Sequence, residues 1–185
     1  MRRISLNIIT LMVVLGATNG AFAADQDSSI PLEYQVKAAV LYKFVRYVEW
    51  PQDVLPDTLD TITIGVLGES PITDALRASV EGKEIGGYKV VIRHFGDLAD
   101  LDFCHMLFIG RSEKENLKKA LRRLQGWSTL TVGDAEGFAE KRGMINLVIV
   151  ENKVRFEINM EAAEEAKLKI SSKLLRLGKI VSATG

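Results

Sequence analysis

The side chains able to bind a soft metal or attack a substrate near neutral pH are few: His94, His105 and Cys104. Cys104 and His105 are adjacent, and on a strand neighbouring side chains point to opposite faces, which makes them awkward co-ligands for one ion. A lone thiol inside the apolar run 103–109 reads as a small buried hydrophobe, with an intermolecular bridge as the alternative. Carboxylates are plentiful but scattered, and the sequence holds no nucleophile elbow, phosphate-binding loop or zinc-protease pattern. These observations predict no catalytic residues, no metal and no cofactor. The chemistry on offer is binding.

Three features could bind. Gly68, Glu69 and Ser70 join a β-branched run, 61–68, to a helix start at Pro71. Ser70 can cap that helix and Pro71 suits its first turn, while free N–H groups at such a junction can hold an anion. The full dinucleotide glycine pattern is absent, so an ordinary connection is the plainer reading. The second feature is aromatic: Tyr34, Tyr42, Tyr47 and Trp50 lie along one helical segment, with Arg46 beside Trp50 at its end. Aromatics at helical spacing usually pack a core, and Trp50 is the exception to test. The third is a basic stripe, Lys114, Lys118 and Arg122 at steps of four, broadened by Lys119 and Arg123. A solvated face is the plain reading; an acidic partner or an anionic membrane surface is the sharper one.

The elements that position these residues follow from periodicity. From Glu33, apolar residues recur at steps of four and three through Val48, an amphipathic helix that Pro51 stops at Trp50. Strands are predicted over 61–68, over 88–95 after the Gly86-Gly87 turn, over 104–110 and over 129–132. Ser112 and Glu115 form a capping box for a helix that turns Leu117, Leu121 and Leu124 inward. Asp134 opens a brief helix through Phe138, and Gly143 precedes a strand over 144–150. A short polar link then leads to Val154, Phe156 and Ile158, which alternate as a half-buried strand, so an antiparallel hairpin is expected. Asn159 caps the next helix, with Glu161 favourably placed in its first turn. The stretch 154–177 reads as the one the rest packs around. The fold class is α/β: a single layered domain with a mixed β-sheet flanked by helices.

Arg2 and Arg3, an apolar run over 8–15 and Ala21-Phe22-Ala23 form a cleavable secretory signal peptide over 1–23. Its apolar run falls short of the roughly 20 residues that span a bilayer. A flexible lead, 24–31, and one domain, 32–180, follow, in the periplasm and with no membrane span after processing. Basic and acidic residues number 24 each, so losing Arg2 and Arg3 leaves a slightly acidic chain and no case for nucleic acid. One cysteine excludes any intrachain disulfide.

Three blocks together, YQVKAAVLYKFVRYVEWP from Tyr34, CHMLFIG from Cys104 and VRFEINMEAAEEAKLKISSKLLRLGK from Val154, resemble the YfiR family of exported bacterial proteins. TITIGVLG and LTVGDAEGFAEKRGMINLVI fit the same pattern. The resemblance implies a non-catalytic periplasmic regulator that binds the periplasmic domain of an inner-membrane diguanylate cyclase and represses it. Cyclic di-GMP would fall, and biofilm and motility would be controlled through it; homodimers are a family feature. Paired cysteines confer redox sensitivity on the best-known relative, a control that a chain with Cys104 alone lacks. Candidate partner-binding residues are Arg46, Trp50, Asn159 and Arg176, although the plainer reading makes Asn159 a helix cap and Arg176 a solvated charge. The alternative is a periplasmic small-ligand sensor, with its pocket at Gly68, Glu69 and Ser70, or an adaptor for another membrane protein such as a sensor kinase.

Overall fold

The run TITIGVL is β-branched at five of its seven positions and carries no charge, which suits a strand covered on both faces. It forms β2 (Thr61–Leu67) near the middle of an eight-stranded sheet. In the computed structural model, which describes residues 30–56 and 59–184, the sheet starts at one edge with β10 (Lys179–Val181), β8 (Lys153–Asn159) and β7 (Ile145–Val150). It continues through β6 (Leu130–Gly133), β5 (Met106–Ile109), β2, β4 (Tyr88–Phe95) and β3 (Glu84–Ile85). The expected signal peptide and residues 24–29 lie outside the described residues. Strands β4, β2, β5, β6 and β7 run parallel, β7 and β8 antiparallel, and β10 parallel to β8, so the sheet is mixed as expected.

Alternation along β2 and β5 divides the core in two. Ile62, Ile64, Val66, Met106 and Phe108 face α1 (Leu32–Arg46) and α2 (Ile72–Val80). Leu67, Leu107 and Ile109 face the opposite side, where α3 (Leu117–Arg123) contributes Leu117 and Ala120. Each fully buried Ile, Leu or Phe contributes roughly 1.5–3 kcal/mol relative to exposure, so these two clusters hold the layers together. The predicted hairpin closes through Glu151 and Asn152, both at positive φ, +49° and +57°. Two such residues match the twist of the flanking strands.

Several local expectations need correction. The first helix ends at Arg46 rather than running to Trp50, because Val48 and Glu49 leave it as β1 (Val48–Glu49) to pair with β9 (Lys169–Ile170). The Ser171 N–H donates to the Tyr47 carbonyl at 2.8 Å and fixes that departure. The capping box does not form: the Ser112 hydroxyl donates to the Glu69 carbonyl at 3.2 Å, and α3 starts five residues later behind Asn116. Residues 135–142 are turns, not a helix, since the Asp134 carboxylate is drawn into an ion-pair cluster. The stretch 154–177 sits near one edge of the sheet, and the centre belongs to β2 and β5.

Candidate interaction surfaces

At the end of α1, Arg46 is exposed in the last helical turn. Trp50 is half-buried; its indole N–H donates to the His105 carbonyl at 3.2 Å and its ring meets the His105 ring edge-on. His105 Nδ1 accepts from the Thr63 N–H at 3.0 Å, so this ring is a neutral structural group at the start of β5. Burial pushes its pKa below the ordinary value, partly offset by the Val54 backbone. The β1–β9 ladder ties residues 46–50 to the carboxyl-terminal segment, where α5 (Ser172–Leu175) is followed by an exposed Arg176.

Asn159 lies elsewhere. It is 1% exposed, its Oδ1 accepts from the Ala162 N–H at 3.1 Å, and its Nδ2 donates to the Ala139 carbonyl at 2.8 Å. Both polar atoms are occupied inside the fold, so the structure gives Asn159 the capping role over α4 (Met160–Glu165) and keeps it off the surface.

The junction at Gly68, Glu69 and Ser70 occupies the sheet's topological switch point. The chain leaves β2 for β4 on one side and returns to β5 on the other, so the ends of β2 and β5 flank a crevice of the kind that holds ligands in open α/β sheets. Gly68 adopts φ +79°, and a Cβ there would lie 2.7 Å from Glu113 Cγ and Oε1 and from Ser112 Oγ. Ser70 Oγ accepts from the Ile72 N–H at 3.3 Å, and exposed Glu69 lies 3.7 Å from His94. The cradle is therefore filled by this chain's own hydroxyl and carboxylate, and an anion would have to displace Glu113.

Beside it lies a cluster that spacing does not reveal. Lys37 on α1 is fully buried, with its ammonium 2.6 Å from both Asp134 and Glu33. Arg111 reaches Asp134 at 3.0 Å and Glu33 at 3.3 Å, and its backbone N–H also donates to Asp134. The hydrogen bond to Asp134 raises the Arg111 pKa. Two cations and two carboxylates thus pin α1 to the ends of β5 and β6. Cys104 is enclosed behind β2, and burial pushes its thiol up to about 12, which removes thiolate chemistry near neutral pH. Among the described residues no group of three or more His, Cys, Asp or Glu is placed to hold a metal ion, and no helix is long and apolar enough to cross a membrane.

Solved structures with this architecture include a conserved domain protein from Vibrio cholerae O1 biovar El Tor, at 13% identity and TM-score 0.51. An ABC domain from Streptococcus pneumoniae, described in complex with L-Trp, aligns at 11% identity and TM-score 0.52. Each alignment covers 80% of this chain but only 59% and 60% of those proteins, and the likeness is one of fold. No curated protein matches the chain. A family match spans residues 34–179, taking in α1 from Tyr34, the switch point, the charge cluster apart from Glu33 and the carboxyl-terminal segment, and by it the chain belongs to the YfiR/HmsC-like family.

Proposed function

We propose that this chain is a non-catalytic periplasmic regulator that binds the periplasmic domain of an inner-membrane diguanylate cyclase and holds it inactive, lowering cyclic di-GMP and thereby controlling biofilm and motility. The observation that carries this reading is the YfiR/HmsC-like match over residues 34–179, a family of periplasmic regulators of diguanylate cyclase signalling. The gripping surface is the end of α1 with the segment it pairs to: Arg46 and Arg176 supply exposed planar donors, and Trp50 supplies an aromatic anchor. The mature chain starts after residue 23, its domain spans 32–180, and it acts as a homodimer. Purified chain added to the solubilised cyclase should suppress GTP turnover in a saturable way, and Arg46→Ala with Trp50→Ala should weaken that suppression. Turnover unaffected at any concentration would overturn the reading. If the chain suppresses turnover equally well with both alanines in place and the fold intact, the surface is wrong.

A second reading, a small-ligand sensor, is favoured by the switch-point placement of Gly68, Glu69 and Ser70 in a fold shared with a domain described with bound L-Trp. Thermal-shift screening against amino acids and nucleotides tests it, because a ligand specific to the folded state raises the melting temperature. A flat response across the panel counts against it.

A further inference from the structure

The second face of the sheet is only partly roofed. α3 covers β2 and β5, but beside it an open groove of about 880 Å³ lies between α3 and α4, with Thr129, Thr131 and Met144 at its base. The Thr129 hydroxyl donates to the Cys104 carbonyl at 2.7 Å, and the Thr131 hydroxyl accepts from the Met144 N–H at 3.0 Å. Those base groups are satisfied within the fold, which leaves apolar contact to Leu121, Met144 and Ala166 and recognition to the rim.

The rim is basic. Lys118 and Arg122 stand exposed one turn apart on α3 and Lys114 stands exposed in the turn before it, and among the described residues none of the three forms an ion pair. On the facing wall Arg142 is paired with Glu165 and feels the charge of Glu161, Lys141 donates to the Glu136 carbonyl, and Glu115 lies just ahead of α3. Five basic side chains against three acidic ones favour a negatively charged occupant.

We propose that this groove docks an acidic amphipathic helix of a partner protein, laid beside α3 so as to extend the helical layer. Carboxylates at steps of four on such a helix rise at the same interval, about 6 Å, as Lys118 and Arg122 on α3. Its apolar stripe meets Leu121, Met144 and Ala166, as in other helix-in-groove complexes. A flat membrane surface meets the outer edge of this wall but not the recessed base, so the concavity favours a protein segment. The groove is separate from the surface at the end of α1, and the proposal does not depend on which partner that surface binds.

The test uses the purified chain and two synthetic helical peptides with one leucine stripe, bearing Glu or Lys at every fourth position. The Glu peptide should bind, more weakly as salt rises, and the Lys peptide should not. The double variant Lys118→Glu/Arg122→Glu should lose about tenfold or more in affinity for the Glu peptide and gain affinity for the Lys peptide, while Lys173→Glu on α5 changes neither. The gain confirms that the variant is folded. Equal binding of both peptides, no binding of either, or an unchanged affinity in the double variant would overturn the proposal. So would phosphatidylglycerol vesicles binding through Lys118 and Arg122 while the Glu peptide does not.

Discussion

Removing either member of the buried Lys37–Asp134 pair should destabilise the protein severely, and by unequal amounts. Both side chains are 1% exposed, so each charge depends on the other for the solvation it has lost. Breaking a buried pair by deleting one partner costs about 3–5 kcal/mol. In Lys37→Met, Asp134 keeps two donors, the Arg111 guanidinium at 3.0 Å and the Arg111 N–H at 3.1 Å, which places this variant near 3 kcal/mol on that scale. In Asp134→Ala, Lys37 keeps as its one charged partner Glu33, whose side chain is 38% exposed, beside the face of Tyr34, and Arg111 loses the shorter of its two contacts, which places the cost near 5 kcal/mol. The double variant Lys37→Met/Asp134→Leu removes both buried charges and leaves Arg111 and Glu33 to pair at the surface. It should recover to within about 2 kcal/mol of the parent, far from the sum of the singles. Urea unfolding followed by the fluorescence of Trp50 and Trp127 measures all three. Single-variant losses below about 1 kcal/mol, or costs that add in the double variant, would refute the claim that the pair is mutually dependent.

Asn159→Ala removes a helix cap and leaves the buried Ala139 carbonyl without its donor, so urea unfolding should show a loss of about 1–3 kcal/mol. His105 is held neutral by burial, with its folded pKa below the ordinary 6.5. As pH falls through about 6.5 the unfolded chain takes a proton that the folded chain refuses, so stability drops from there towards the folded pKa. His105→Gln should flatten that part of the stability–pH curve, and an unchanged slope would show that other groups carry it. The Cys104 thiol should resist alkylation at pH 8 in the folded protein and react at once in urea, which mass spectrometry reads directly.

What the sequence made legible is what neighbours along the chain decide. The hairpin of β7 and β8, the Asn159 cap and the buried run of β2 rest on period, turn geometry and side-chain capping within a few residues. The misreadings arise where a distant partner wins. α1 stops at Arg46 because β1 finds β9 more than a hundred residues on, and helical spacing carries no trace of that pairing. Ser112 looks like a cap, yet its hydroxyl goes to Glu69, 43 residues back. Lys37 falls among apolar positions of an amphipathic pattern and is buried only because Asp134, 97 residues away, meets it. Among the candidate site residues, Arg46 and Arg176 stand exposed and Trp50 half-exposed. Burial instead decides the place of Asn159, because a side chain that satisfies both a helix end and a distant carbonyl has nothing left to offer outside.

The most direct test of the regulatory account is intracellular cyclic di-GMP in a strain lacking this chain, compared with its parent and with strains supplying the chain with or without residues 1–23. The account predicts a rise on deletion that the exported chain reverses and the export-deficient chain does not. Unchanged cyclic di-GMP while the protein is demonstrably made in the parent would contradict it.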